Sequence, residues 1–224
     1  MLGLDEQLAT LGHGEVFAVV AVIAVLLGLR HATDPDHLAA VTTLVASEQP
    51  GGRRAGLLGF SWGMGHATSL FGFGVPIVVS HSYLPDELQT AAETTVGLVI
   101  VALAVRLLRR WRQGDLHGHG RRPTRSPLQA YGIGLAHGMG GTAGVGVLLL
   151  AGVPDHAEAL AALAVFSLFT AVSMTVASST LGVVLSRGPV LRSYVTVAPA
   201  LGALSLAFGI WYSLGALHAV PYVF

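Results

Sequence analysis

The chain has no cysteine, no lysine and few charges of any kind: 11% of its 224 residues are Asp, Glu, Lys or Arg. Each scarcity excludes something. Without cysteine there are no disulfides, thiolate metal sites or Cys-X-X-Cys redox relays. Without lysine there is no Gly-rich phosphate loop of the Walker type, so nucleotide-driven pumping by this chain is not expected. A charged fraction of 11% beside 53% hydrophobic residues and a mean hydropathy of +0.68 is foreign to soluble domains, where about a quarter of residues are charged. The composition calls for an all-α polytopic membrane protein whose first partner is the lipid bilayer and which has no nucleic-acid partner. Asp5 and Glu6 stand where a signal peptide would carry basic residues, so no cleavable leader is expected.

Against this apolar background one stretch stands out, Arg30-His31-Ala32-Thr33-Asp34-Pro35-Asp36-His37, which follows the hydrocarbon run from Val16 to Leu27. Ionisable side chains at membrane depth each cost several kcal/mol or need a partner, so they are read first as an ion or substrate site. On a straight helix Asp34, Asp36 and His37 would point about 300°, 140° and 240° around from His31 and could not converge. Pro35 removes an amide hydrogen and clashes with the carbonyl of His31. Asp34 followed by Pro35 also resembles an N-cap and a first helical position, which predicts a new half-helix over 35 to 46. Broken helices inside a bilayer are tolerated where they line a protein cavity, and transporter sites are built from them.

Six transmembrane segments are expected, over about 16–46, 56–80, 89–111, 129–151, 156–186 and 194–218, preceded by an acidic leader or surface helix over 1–15. The first is too long for a ~30 Å hydrocarbon core unless kinked, and the break near Pro35 supplies the kink. Arginine fixes the orientation. Arg53 and Arg54, the seven from Arg106 to Arg125, and Arg187 and Arg192 fall in alternate loops, whereas the opposite face carries Asp5, Glu6, Glu15, Asp86, Glu87, Asp155 and Glu158. The positive-inside bias then places both termini outside the cytoplasm. Gly28-Leu29-Arg30-His31 aligns with Gly134-Leu135-Ala136-His137 at an offset of 106, and Val96-Gly97-Leu98 with Leu201-Gly202-Ala203. These matches suggest a 3+3 inverted repeat: residues 1–112, an Arg- and His-rich cytoplasmic loop over 113–127, and residues 128–224.

The candidate metal-binding residues are His31, Asp34, Asp36 and His37, joined by His66 and His137 at mid-span in the second and fourth segments. Imidazole nitrogens with carboxylate oxygens suit Ni(II), Co(II), Zn(II) or Mn(II), and the absence of sulfur argues against Cu(I). One or both carboxylates could instead orient an imidazole through its other ring nitrogen. The bland alternative is a salt-bridge knot with Arg30 that only ties helices together. Met64 and Met139 read as core, the glycines around His66 and His137 as close-packing positions, and His117 and His119 as part of a solvated linker. No His-Glu-x-x-His or Gly-x-Ser-x-Gly motif is present, so no enzyme is expected.

His31, four residues, then Asp36-His37, preceded by Arg30, resembles the signature of the nickel/cobalt transporter family. Gly65-His66-Ala67-Thr68 looks like that family's Gly-His-Ser/Ala-Thr/Ser element. The resemblance covers about a quarter of the chain. It implies a divalent nickel or cobalt permease of a bacterial or archaeal cell membrane in which His31, Asp36 and His37 are essential and the metal is cargo, with no prosthetic group. The sequence departs from the family pattern in three ways. The signature lies in the first span rather than the second, Pro35 replaces the usual Ala, and the later Phe-Asp-Thr-Ala-Thr-Glu element is missing. This resembles a short branch linked with urease or hydrogenase maturation, which brings in two alternatives: metal efflux, or a non-transporting accessory that hands metal to a metallochaperone or maturation protein.

Overall fold

In the computed structural model the apolar runs are helices, and the breaks in them set the architecture. The structure describes residues 2–46, 52–80, 85–114, 126–138, 140, 147, 152, 153 and 155–221. Among these, seven helices and no strand are found: α1 (Leu2–His31), α2 (Pro35–Ala46), α3 (Gly52–Ser80), α4 (Asp86–Arg112), α5 (Pro127–His137), α6 (His156–Ser186) and α7 (Gly188–Ala216). The expected half-helix after Pro35 is α2. α1 is already helical from Leu2, so the stretch expected as a separate leader is continuous with the first apolar run.

Local chemistry explains the helix ends. Pro35 opens α2, where its missing amide hydrogen is not needed, and the axis turns by 48° between α1 and α2. Asp86 and Glu87 begin α4, and Arg109, Arg110 and Arg112 close it, each charge set complementing the helix dipole. A capping box starts α5: Gln129 N donates to Ser126 Oγ, and Ser126 N donates to Gln129 Oε1. The Asp155 side chain caps α6 by accepting from Glu158 N at 2.9 Å.

α4, α6 and α7 are long and apolar enough to cross a membrane, and the bent pair α1–α2 makes a fourth crossing if counted as one span. The outer surface is apolar, with Val19, Val22, Leu26, Leu98, Leu168, Val176 and Leu204 exposed, as lipid contact requires. The helix expected within the fourth segment, 129–151, is α5 and ends at His137; most of 139–151 lies outside the described residues. One expectation is corrected. Met64, expected in the core, is 39% exposed. Met139, His117 and His119 lie outside the described residues.

α3 is the inner strut. It runs along α6 and against α5, α4 runs along α7, α1 lies on α6, and α2 touches α3, α4, α6 and α7. The α3–α5 contact is close enough to demand glycine on both sides. A Cβ on Gly134 would meet the Trp62 carbonyl and come within 2.9 Å of the His66 nitrogen, and one on Gly65 would meet the Tyr131 carbonyl. This approach sets the two histidine-bearing helices side by side. Above and below them are two apolar clusters. One contains Leu44, Leu58, Trp62, Leu103 and Leu107 towards the arginine-bearing ends, and the other contains Ala24, Leu70, Val78, Leu163 and Phe166 towards the acidic ends.

Candidate metal site

α1 ends in a tight turn in which Thr33 N donates to Arg30 O at 2.8 Å and Asp34 N to His31 O at 3.1 Å. α2 then begins with Leu38 N donating to Asp34 O at 2.9 Å. The turn does what a straight helix could not. The rings of His31 and His37 are 4.2 Å apart between centroids. His66 of α3 joins them, its Nε2 2.9 Å from His31 Nε2 and its ring 4.9 Å from that of His37. His137, the last residue of α5, places its ring 4.6 Å from His37 and 5.9 Å from His66. All four imidazoles are buried, none more than 3% exposed.

The two carboxylates of the motif do different things. Asp36, 2% exposed, accepts from His37 Nδ1 through Oδ1 at 3.1 Å. Its Oδ2 is 3.4 Å from His137 Nε2, outside hydrogen-bonding geometry, so both atoms are buried without a hydrogen bond. Asp34 faces away from the cluster: Oδ1 accepts from Arg30 Nη2 at 3.1 Å and Oδ2 from His31 Nδ1 at 3.2 Å. With Nδ1 of His31 carrying the hydrogen, the Nε2 lone pair points at the other imidazoles. The salt-bridge knot with Arg30 therefore exists, but it takes Asp34 alone.

Besides Asp36 Oδ2, the buried polar atoms without a hydrogen bond include His37 Nε2, His66 Nδ1, both ring nitrogens of His137 and the indole nitrogen of Trp62. Each such atom costs about 1–3 kcal/mol. A set of them on facing rings is poor packing but a ready set of metal donors. Two groups bring one donor atom per residue within 4.8 Å of one another: His31, His37 and His66, and Asp36, His37 and His137. Tetrahedral ligation at 2.0–2.1 Å needs donors about 3.3 Å apart, and the separations of 2.9 Å between His31 Nε2 and His66 Nε2 and 3.4 Å between Asp36 Oδ2 and His137 Nε2 bracket that spacing.

The sequence points to all five cluster residues and to Asp34, though not to Asp34's direction. It does not point to the aromatic walls. Trp62 lies 5.8 Å from both His37 and His137, and Phe166 lies 5.9 Å from His31. Nor does it single out Glu93, a buried carboxylate inside α4 held by Gln89 Nε2 at 3.0 Å. An acidic residue within an apolar run was the available signal for Glu93.

The chain is 26% identical over 205 residues to the urease accessory protein UreH of a Bacillus species, covering 86% of this chain and 90% of that protein. It is 39% identical over 82 residues to the nickel transporter NicT of Mycobacterium tuberculosis, covering 36% of this chain and 22% of that one. It is 33% identical over 87 residues to the cobalt transport protein NhlF of Rhodococcus rhodochrous, covering 39% and 25%. The chain thus spans about a quarter of the length of these two transport proteins and nearly all of the accessory protein. No solved structure matches it. The family model NicO, described as high-affinity nickel-transport protein, matches residues 17–114, the segment that holds His31, Asp36, His37 and His66.

Proposed function

We propose that this integral membrane protein is a secondary permease for divalent transition-metal ions, nickel or cobalt, and that His31, Asp36, His37, His66 and His137 hold the partly dehydrated ion. The observation that carries this reading is the convergence of four buried imidazoles and one carboxylate, several without hydrogen bonds, from one bent helix, one glycine-packed helix and one helix that stops at its own histidine. Packing alone would not select such a set, because apolar residues of the same volume would avoid the desolvation. Asp34 positions His31 and is not itself a ligand. The ion is cargo. The chain works by moving it, not by catalysis.

The packing supports the 3+3 inverted repeat of residues 1–112 and 128–224 around the 113–127 loop. At the proposed offset of 106, α1 corresponds to α5, α3 to α6 and α4 to α7. α3 packs on α6 and α4 on α7, and α1 lies on α6 as α5 lies on α3, the exchange a two-fold axis in the membrane plane would produce. Individual contacts repeat too. Gly28 sits against the Phe166 carbonyl and Thr170 nitrogen as Gly134 sits against the Trp62 carbonyl and His66 nitrogen. Six crossings, with both termini outside the cytoplasm of a bacterial or archaeal cell, follow from this symmetry and the arginine placement. The cysteine-free chain allows a direct check by labelling single cysteines at Asp86 and Gly114 from either side.

The deciding experiment is radionickel and radiocobalt flux into proteoliposomes. Wild-type protein accumulates ion, and His37→Ala loses at least about tenfold, because it removes the imidazole that touches both donor groups. Equal accumulation by the two would end the proposal. Near full-length similarity to a urease accessory protein favours one further reading, delivery of metal to a maturation protein without flux. That reading predicts binding with no accumulation, and outward flux from loaded vesicles would mark an exporter.

A further inference from the structure

The two donor groups cannot both be filled as they stand, because both need His37. A neutral imidazole has one lone-pair nitrogen and one N–H, so it serves one ion at a time. His37 Nδ1 donates to Asp36 Oδ1 at 3.1 Å, which leaves Nε2 as its only bare nitrogen, and that nitrogen has no hydrogen bond. The neighbouring rings lie at similar centroid distances from the His37 ring: His31 at 4.2 Å and His66 at 4.9 Å in one donor group, His137 at 4.6 Å in the other. The surroundings differ at the two ends. His31 touches Phe166 of the apolar cluster nearer the acidic helix ends, whereas His137 touches Trp62 of the cluster nearer the arginines.

We infer that the ion has two successive, mutually exclusive resting positions that share His37, an all-nitrogen one with His31 and His66 and a mixed one with Asp36 and His137. This inference rests on the permease reading and adds a hand-off step to it. When His37 changes partners, two metal–donor bonds on one side are exchanged for two on the other, and the ion is never left without the shared ring. No covalent chemistry or co-reactant is needed. The two positions differ in charge as well as donor atoms. The first is neutral and the second carries the Asp36 carboxylate, so a dication is drawn from the first to the second, and net movement then depends on which side is open.

Co(II) is the probe, because its visible absorption reports donor set and coordination number. Purified full-length wild-type protein should bind one Co(II) per chain by equilibrium dialysis. His66→Ala should keep one Co(II) with the mixed nitrogen–oxygen spectrum, His137→Ala should keep one with the all-nitrogen spectrum, and both should lose cobalt flux at least about tenfold. His66→Gln and His137→Gln, which preserve volume, stand in if the alanine variants fail to fold. Two Co(II) per wild-type chain would overturn the inference. So would loss of all binding in both single variants, which would mean one site built from every donor, or the same spectrum in both. Absence of Co(II) binding to wild-type protein at micromolar concentrations would instead sink the permease reading itself.

Discussion

Asp34 provides the sharpest test of how the site is built, because by sequence it is a candidate ligand and by geometry a positioning residue. Its Oδ2 holds His31 Nδ1 at 3.2 Å and its Oδ1 holds Arg30 Nη2 at 3.1 Å, while the Arg30 side chain is 68% exposed. The two contacts therefore have unequal weight. A hydrogen bond from a buried group to an ionised carboxylate contributes about 1.5–3 kcal/mol, and an exposed ion pair about 0–1 kcal/mol. At about 1.4 kcal/mol per factor of ten, losing the first weakens metal binding about 10- to 100-fold, as found for residues that orient metal-binding histidines. Asp34→Ala should therefore raise the Kd for Ni(II) by that factor in a titration of the purified protein, and Arg30→Ala by less than about fivefold. Asp34→Asn should recover most of the loss, because its amide oxygen can still accept from His31 Nδ1. A direct ligand would behave otherwise, with Asn nearly as damaging as Ala. That result, or Arg30→Ala matching Asp34→Ala, would refute the assignment.

Two further outcomes are expected. Gly134→Ala drives a methyl group into the Trp62 carbonyl, and backbone cannot yield as a side-chain tip can, so it should destabilise the protein by about 1–3 kcal/mol and carry His137 away from His37. Thermal unfolding in detergent, with and without Ni(II), reads both effects, and an unchanged metal-induced shift would contradict the placement of α5. Acid should abolish binding, because protons and metal compete for the same imidazole lone pairs. Binding is full while the imidazoles are neutral and is lost as acid protonates them. A Kd that stays constant down to the pH at which the protein unfolds would show that the imidazoles are not the donors.

Much of this was legible in the sequence. Asp34-Pro35 marked the start of α2, and the shared depth of His66 and His137 with His31 pointed to at least one of them reaching the cluster; His66 lies beside His31, and His137 beside His37. Long-range packing decided the rest. Glycines around His137 read as packing positions in a continuous span, and Gly134 and Gly138 do pack on Trp62 and His66. They also give up helical propensity, about 1 kcal/mol each relative to Ala, and the helix ends at that point. Asp34 was ambiguous for a different reason. In a turn no helical period fixes where a side chain points, so only the folded structure separates it from Asp36. The aromatic walls come from α3 and α6, and no local pattern tells which of several apolar faces will meet His31.

On the permease reading, the charge balance around the cluster suits passage more than storage. Asp34 and Arg30 cancel one another, so Asp36 is the one net negative charge among the described groups that contact the imidazoles. A dication held there leaves the region with one net positive charge in a medium of low dielectric, enough attraction to strip part of its water but not enough to trap it. A second carboxylate would remove that excess. His137→Glu should therefore bind Ni(II) at least about tenfold more tightly at neutral pH while slowing flux, because release becomes the slow step. Titration and flux measured on the same preparation decide it. If tighter binding came with faster flux, the residual positive charge could not be what lets the ion leave, and the limiting step would lie in the movement of α2 and α5 around the site.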